Sequence, residues 1–287
     1  MRWEGQRESS NVEDRRGISP ARVGGVGGLG LGGIVLVLAV SYFTGTNPLT
    51  LLNMLDGVQN MTESSAPTEP GRIGAPSDQL GKFASVVLAD TETTWTGLLG
   101  QRYENPRMVL FSGAVQSACG TTSSAVGPFY CPGDHKLYLD LSFFEEMSQR
   151  LGAPGDFAQA YVIAHEVGHH VQNLMGIAEK VHRLQRQSSE TEGNALSVRM
   201  ELQADCFAGV WGHHANRDRN LIEPGDFEEG LRAASAIGDD RLQKMARGQV
   251  QPESWTHGSS EQRMTWLRKG LESGDPKACD TFAGGRL

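Results

Sequence analysis

The segment Tyr161–Gly176, which reads YVIAHEVGHHVQNLMG, constrains the fold of this chain more than any other stretch. It places three histidines and one glutamate within six residues of a mainly apolar run. The apolar run predicts a core helix, in which unpaired polar side chains would be costly to bury. These polar side chains are therefore expected to share a binding partner.

His165, Glu166 and His169 form an H-E-x-x-H pattern in this segment. Residues four apart lie on one face of a helix, with their Cβ atoms about 5–6 Å apart, so both imidazoles reach one ion. Neutral imidazole nitrogen is a suitable ligand for zinc. Glu166 lies where it can take a proton from water activated by the zinc and pass it to a leaving amine. The alternative is a pair of hydrogen-bonded core histidines, with Glu166 at the surface.

A third ligand is expected in the sequence MELQAD on a second helix. A metzincin pattern fails, because Gln172 and Met175 occupy the positions of its glycine and its third histidine. Glu201 and Asp205 resemble the gluzincin arrangement, in which the glutamate is a ligand and the aspartate holds a ligand histidine through its other ring nitrogen. Gly168 would let the two helices approach closely. The alternatives are an exposed carboxylate pair, or an aspzincin-like site with Asp205 as ligand.

The other histidines are weaker candidates. His257 lies in the turn WTHGSSEQR, where a donor near the metal would stabilise the oxyanion of a tetrahedral intermediate, which makes it a candidate catalytic residue. The alternative is a hydrogen-bonded turn histidine. His170 points about 100° away from the ligand face and is not expected to be a ligand. Surface positions are predicted for His135, His213 and His214.

The N-terminal region predicts a membrane anchor. Residues 23–43 carry no charge, and their length matches the roughly 20 residues that a helix needs to span a bilayer. Five arginines precede this run and the next basic residue is Arg72, so the positive-inside rule puts residues 1–22 in the cytoplasm and the rest outside it. The alternative is a cleaved signal peptide, but the long polar arm before the run favours a retained single-pass anchor.

Residues 44–76 mix a short apolar patch with Ser, Thr, Pro and Glu, which predicts a flexible tether. A folded domain is predicted for residues 77–287. It starts with a helix that has apolar residues at helical spacing from Leu80, followed by strands in RMVLFSGAVQ and HKLYLDLSFF. The rest of the domain is predicted to be mainly helical.

Two helix starts carry a capping-box spacing, in which a short polar residue precedes Glu or Gln by three positions: Asp156 with Gln159, and Asp226 with Glu229. The last helix is predicted to start at Ser259 or Ser260, with Gln262 near its first turn.

The chain has four cysteines, an even number that fits an oxidising compartment and allows three pairings. Cys119 and Cys131 enclose a short loop rich in Gly, Ser and Thr, so they are predicted to pair, which leaves Cys206 with Cys279. The alternative for Cys206 is a small buried thiol on a helix.

The formal net charge of −8 argues against a nucleic-acid-binding protein, because it implies no basic surface large enough to neutralise phosphates. The predicted partners are a peptide or protein substrate and, through residues 23–43, a membrane. Nothing in the sequence predicts an oligomeric state.

Five sequence blocks between Ser77 and Phe282 resemble the neutral zinc metallopeptidase family of bacterial single-span membrane proteins: GPFYCPGDHKLYLDLSFF, YVIAHEVGHHVQNLMG, ELQADCFAGVW, AIGDDRLQ and THGSSEQRMTWL. The resemblance implies a zincin-like core, zinc and an anchored N-terminus. It also implies that the ligands are His165, His169 and Glu201 and that the catalytic residue is Glu166. For GDDR, at Gly238–Arg241, a charge network inside a helix is expected.

These observations predict an α+β, zincin-like (gluzincin-type) metallopeptidase domain, mainly helical with a small sheet, preceded by one transmembrane helix. In zincins an edge strand above the metal pairs with an extended substrate, and HKLYLDL or RMVLFSG are the candidates. Two alternatives to a peptidase are a non-catalytic metal-binding scaffold in the membrane, which would not need Glu166, and a zinc hydrolase that acts on a non-protein amide.

Overall fold

The computed structural model describes residues 1–17 and 71–283. This part of the chain forms seven strands and eight α-helices. The strands are β1 (Val12–Asp14), β2 (Arg72–Ile73), β3 (Arg107–Phe111), β4 (Ala114–Ser117), β5 (Gly120–Ser123), β6 (Phe129–Cys131) and β7 (Lys136–Asp140). The helices are α1 (Gln79–Leu99), α2 (Ser142–Gln149), α3 (Asp156–Leu174), α4 (Ile177–Gln185), α5 (Glu190–Arg217), α6 (Asp226–Ala236), α7 (Asp239–Arg247) and α8 (Ser260–Ser273). The α+β class is therefore confirmed.

One five-stranded sheet has the order β2-β1-β3-β7-β6, and β4 and β5 form a separate hairpin. Strands β1, β3 and β7 run parallel, and the two outer strands are antiparallel to their neighbours. Both faces of β3 are covered: Met108 and Leu110 join the main core, whereas Val109 and Phe111 join a smaller cluster with Tyr138. Burial on both faces explains why this strand is a continuous apolar run.

The helices that carry the predicted site pack closely against one another. A Cβ atom at Gly168 of α3 would lie 2.9 Å from the backbone oxygen of Ala204 in α5, so the expected close approach at this glycine is confirmed. The backbones of α5 and α8 also meet without intervening side chains, at Gly209 and Gly270. Both α3 and α8 are thereby held at a short distance from α5.

Strand β1 corrects the predicted domain boundaries. The sequence predicts that residues 1–22 form an arm, separated by a membrane span from a domain that begins at residue 77. Instead, Met1–Arg16 and the chain from Arg72 onward form one unit, with β1 between β2 and β3. Paired strands lie about 4.8 Å apart, whereas a bilayer core is about 30 Å thick. Residues 1–16 therefore lie on the same side of any membrane as residues 72–283, and the predicted placement of arm and domain on opposite sides is wrong.

The predicted transmembrane helix at residues 23–43 lies outside the described residues, as does most of the predicted tether at residues 44–76. Strand β2 falls within that tether, so the later part of the folded unit begins before residue 77. Among the helices of residues 1–17 and 71–283, none combines the length and apolar character needed to cross a bilayer. The membrane span at residues 23–43 stays a prediction.

Most elements predicted by periodicity are present, but both predicted capping boxes are wrong. Asp156 is the first residue of α3, and its carboxylate pairs with the Met1 ammonium at 2.8 Å instead of capping the helix. Asp226 is likewise the first residue of α6 and accepts from the backbone of Glu223. The predicted start of the last helix is confirmed: α8 begins at Ser260, and Ser259 and Gln262 form a capping box there.

Both predicted disulfides are confirmed. Cys119 pairs with Cys131, and Cys206 pairs with Cys279. The second bond joins α5 to the segment that follows α8, and both of its cysteines are fully buried. It therefore attaches the segment after α8 to the helix that carries Glu201.

Candidate metal centre

The polar face of α3 meets α5 at one point in the structure. His165 and His169 approach each other there, with their Nε2 atoms 3.2 Å apart. The carboxylate of Glu201 lies across both rings, with one oxygen 3.1 Å from Nε2 of His165 and the other 3.3 Å from Nε2 of His169. The structure thus brings together the three residues predicted as ligands, and this group could hold a metal ion.

Asp205 fixes the far side of the His165 ring. Its carboxylate accepts from Nδ1 of His165 at 2.8 Å, which leaves Nε2 of that ring with its lone pair facing Glu201. The same carboxylate accepts from the Tyr161 hydroxyl at 2.5 Å and from two nitrogens of Arg263 at 2.8 and 2.9 Å. Burial alone would raise the pKa of Asp205, but Arg263 and His165 lower it to about 2. Asp205 therefore stays an ionised acceptor.

Gln172 has the corresponding place behind His169. Its side-chain oxygen lies 2.9 Å from Nδ1 of His169, and its side-chain nitrogen donates to the backbone oxygen of Met200 at 2.7 Å. A backbone oxygen only accepts, so the amide nitrogen faces Met200 and the amide oxygen faces His169. Nδ1 of His169 therefore donates, and Nε2 has its lone pair on the side of Glu201.

The donor set fits a zinc ion. Two imidazole lone pairs and a carboxylate face one point, and such groups repel one another unless a cation lies between them. Ligand atoms that are each about 2.0–2.1 Å from one tetrahedral zinc lie about 3.3 Å apart. The two Nε2 atoms are 3.2 Å apart here, and each lies 3.1–3.3 Å from one of the two Glu201 oxygens. Without a metal, protons would take its place. Burial lowers the pKa of His165, but Asp205 and Glu201 outweigh this effect and raise the pKa to about 10.

A family model described as "Putative neutral zinc metallopeptidase" matches residues 1–282 of the chain. The chain belongs to this family. The uncharacterized protein YpfJ of Escherichia coli (strain K12) is 49% identical to it over 293 aligned residues, which cover 98% of this chain and 99% of that protein. The uncharacterized protein Rv2575 of Mycobacterium tuberculosis (strain H37Rv) is 43% identical over 228 residues, 75% of each chain. No solved structure matches the chain significantly. The family supports a zinc-dependent hydrolase in general terms.

Glu166 lies beside the three donors without a partner of its own. It is 8% exposed, and no group among the described residues donates a hydrogen bond to its carboxylate. Burial raises the pKa of Glu166 above its ordinary value, although the neighbouring histidines oppose this. A carboxylate with a raised pKa and no partner among the described residues, beside three metal-binding donors, indicates a functional site.

The structure does not bring His257 to the metal group. Its side chain is 51% exposed and lies 3.3 Å from the carboxylate of Asp239, and its other side-chain partner is Thr256. The backbone nitrogens of Thr256, His257 and Gly258 all donate to Asp239 at 2.7–3.0 Å. The predicted role of His257 as an oxyanion donor has no support here, and its surroundings fit the alternative of a turn histidine.

The GDDR sequence holds this turn. Asp239 and Asp240 are the first two residues of α7, so the expected charge network inside a helix is wrong. Asp240 accepts from the backbone nitrogen of Ser260 at 2.7 Å, and a Cβ atom at Gly238 would overlap the same residue. Arg241 donates to the backbone oxygen of Leu151 at 2.9 Å. The motif therefore positions the start of α8, the helix that carries Arg263.

His170, His213 and His214 have partners of their own, away from the metal group. His170 is fully buried between the backbone oxygen of Glu104, at 2.7 Å, and the Tyr130 hydroxyl, at 3.0 Å, and burial lowers its pKa to about 4. His213 and His214 bond backbone oxygens of Leu271 and Gly274 and are partly buried, so their predicted surface positions are only partly correct. His135 is exposed, as predicted.

The predicted substrate strands are in the wrong place for their role. Strands β3 and β7, which contain RMVLF and KLYLD, lie inside the sheet with a neighbour on each side. Neither can accept another strand, because their backbone groups are already paired. The edge strand on this side of the described sheet is β6, next to β7.

Sequence reasoning missed four residues that support the ligands: Tyr161, Gln172, Gln203 and Arg263. For the first two a signal existed, because Tyr161 precedes His165 by one turn and Gln172 follows His169 by three residues on the same helix face. Arg263 lies within a block that resembles the family, but its contact with Asp205 depends on tertiary packing between α5 and α8. The contacts of Gln203 also depend on tertiary packing, in this case of α5 against α3 and against the segment after α8.

Proposed function

We propose that the protein is a zinc-dependent peptidase that hydrolyses peptide bonds with Glu166 as the general base. The observation that carries the proposal is a buried, unpaired carboxylate beside three converging electron-pair donors. Metal binding alone requires the donors but not Glu166.

In this mechanism the zinc ligands are His165, His169 and Glu201. Zinc is a Lewis acid that makes water nucleophilic near neutral pH and polarises a carbonyl group. Glu166 takes a proton from the attacking water, and its burial favours this step because it raises the proton affinity of the carboxylate. The same proton then passes to the departing nitrogen, so the carbon–nitrogen bond breaks and the amine leaves uncharged.

The order of the site residues supports a zincin-like, gluzincin-type arrangement, with two histidines and the base on α3 and the third ligand on α5. For the substrate, we propose pairing with the free edge of β6 by strand addition, which supplies main-chain hydrogen bonds to an extended peptide. The Tyr130 hydroxyl on this strand accepts from the side chain of Asn173 on α3 at 3.2 Å. That contact supports a position of the edge beside the ligand helix.

A cleavage profile on a mixed peptide library tests the proposal. The wild type, with zinc and with a chelator, is compared with Glu166→Gln and with Glu179→Gln, a matched control that removes an 82% exposed carboxylate on α4. We expect cleavage by the wild type and the control, and none by Glu166→Gln or after chelation.

The same experiment separates the alternatives. Identical profiles for the wild type and Glu166→Gln, with zinc bound to both, would favour a non-catalytic metal-binding scaffold. Hydrolysis of non-protein amides such as cell-wall fragments, with no peptide cleaved, would favour an amidohydrolase and overturn the peptide assignment.

We also propose that the folded unit, residues 1–16 included, lies in an oxidising compartment and is held at a membrane through residues 23–43. The two disulfides support this location, since such bonds persist in oxidising surroundings. The test is alkylation of free thiols in cells lysed under denaturing conditions, which expose the buried cysteines, followed by mass measurement. Four unmodified cysteines would agree with the proposal, and four alkylated ones would place the unit in a reducing compartment.

A further inference from the structure

His165 and His169 have chemically different supports behind their rings. Behind His165 is an ionised carboxylate that is itself paired with Arg263. Behind His169 is the neutral amide of Gln172, which is fully buried. A carboxylate can only accept hydrogen bonds, whereas an amide can present either an oxygen or a nitrogen to the ring. The orientation of the Gln172 amide therefore has to be fixed by other groups.

A second amide helps to fix this orientation. The side-chain nitrogen of Gln172 donates to the side-chain oxygen of Gln203 at 3.1 Å, as well as to the backbone oxygen of Met200. The side-chain nitrogen of Gln203 donates to the backbone oxygen of Cys279 at 2.9 Å. Both amides thus end on backbone oxygens, which only accept, and a flip of either amide would set two acceptors against each other.

The end of this relay is held firmly in place. Cys279 is fully buried and is bonded to Cys206, three residues after Gln203 on α5. Two residues further on, the Thr281 hydroxyl donates to the backbone oxygen of Arg199 at 2.7 Å. The segment after α8 is therefore attached to α5 on both sides of Gln203, and the acceptor oxygen of Cys279 has a defined position.

We propose that Gln172 and Gln203 are positioning residues, and that their paired amides, fixed by the Cys279 carbonyl, set the tautomer of His169. The proposal rests on the metal site of the proposed function. With the amides in this orientation, Nδ1 of His169 carries the proton and Nε2 is free to bind a metal. Partners in this position typically change metal affinity by about 10- to 100-fold.

Zinc affinity, measured by competition with a chromogenic chelator, tests the role without reference to catalysis. The full-length variants are Gln172→Met, Gln203→Met and the double variant, since Met is close to Gln in size but has no amide. The control is Gln185→Met, which removes an amide that donates to the Gly193 backbone and the Ser197 hydroxyl, away from the site. We expect Gln172→Met to bind zinc about 10- to 100-fold more weakly, a smaller loss for Gln203→Met, and no change for the control.

The double variant shows whether the two amides act together. If Gln203 acts only through Gln172, the double variant binds zinc as weakly as Gln172→Met alone. Losses that add, or wild-type affinity in Gln172→Met, would overturn the relay. Imidazole ¹⁵N resonances of the zinc-bound protein give a second readout, in which a protected Nδ1 proton of His169 is expected in the wild type and rapid exchange in Gln172→Met.

A conservative variant separates positioning from a general effect on folding. Gln172→Glu keeps an oxygen for His169 but loses both donors and sets a carboxylate against the Met200 oxygen. We expect it to be less stable than the wild type yet to bind zinc more tightly than Gln172→Met. A purely structural role would lower affinity in step with stability. If the wild-type protein binds zinc but cleaves no peptide, the proposed function is contradicted, whereas the relay is not.

Discussion

Within residues 1–17 and 71–283, two groups of side chains each bring three metal-binding donors within 4.8 Å of one another. One is the group of His165, His169 and Glu201. The other consists of Asp156, Asp226 and Glu229, at the starts of α3 and α6. By proximity alone the two groups are equivalent.

The two groups differ in their donor atoms, and only the acidic group contains a cation supplied by the chain. The acidic group surrounds the Met1 ammonium, which lies 2.8 Å from Asp156 and 3.2 Å from Asp226. Glu229 accepts from the backbone of Phe157. At the histidine group, no ammonium or guanidinium of the described residues lies among the three donor atoms; Arg263 stays behind Asp205. Converging donors therefore indicate a metal only where the chain supplies no cation of its own.

The largest difference is expected in zinc binding. Glu201→Gln should abolish stoichiometric zinc binding at micromolar zinc, because it replaces the anionic ligand with a neutral amide. Asp226→Asn should leave zinc binding unchanged. Metal analysis after gel filtration measures both variants. Loss of zinc in Asp226→Asn, with retention in Glu201→Gln, would reverse the assignment of the two groups.

The next largest effect concerns stability. Arg263 and Asp205 are 2% and 0% exposed, so Arg263→Met would leave a buried carboxylate uncompensated and cost about 3–5 kcal/mol. At the acidic group, Glu223 is 44% exposed beside Met1, and Glu223→Gln should cost less than about 1 kcal/mol. Urea unfolding of the metal-free proteins compares the two, and equal costs would show that burial does not distinguish these ion pairs.

Zinc affinity should also depend on pH. The pKa of His165, raised to about 10 without metal, means that a proton is held there at neutral pH and must leave when zinc binds. Affinity should therefore rise with pH, by about tenfold per unit below that pKa. Chelator competition at several pH values measures the slope. A flat profile would mean that no proton is displaced from the site.

The smallest effect is expected at the N-terminus. Burial lowers the pKa of the Met1 ammonium, but Asp156 and Glu223 raise it more, from 8.0 to about 10. The folded state thus holds this proton more tightly, so the stabilisation is complete below pH 8 and is lost as pH rises through about 10. After allowance for solvent screening, we expect a loss of about 1 kcal/mol. Asp156→Asn should reduce this loss, and an unchanged profile in that variant would contradict the pairing.

Local patterns predicted much of the site. The H-E-x-x-H spacing places both histidines on one helix face, and the E-x-x-x-D spacing does the same for Glu201 and Asp205, which the structure places beside the histidines. Two cysteine pairs were also correct, because the short loop between Cys119 and Cys131 leaves one arrangement for the other two.

The misses share a physical cause, since each depends on contacts between distant parts of the chain. Asp156 has the local features of a helix cap, but the Met1 ammonium competes for its carboxylate. Arg263 reaches Asp205 only because close packing at Gly270 brings α8 against α5. Gln203 meets Gln172 only because close packing at Gly168 brings α3 against α5. The place of β1 in the sheet could not be read from a polar, arginine-rich segment, because its parallel partner strand lies far along the chain. Val12 pairs with Met108, which is 96 positions later.

The internal position of β1 has a practical consequence for producing this protein. A truncated form that starts at residue 72 lacks β1, so the backbone groups on the β1-facing edge of β3 would be unpaired. Such an exposed edge favours pairing between molecules and aggregation. A soluble version therefore needs residues 1–16 linked to residue 72 by a short polar bridge in place of residues 17–71.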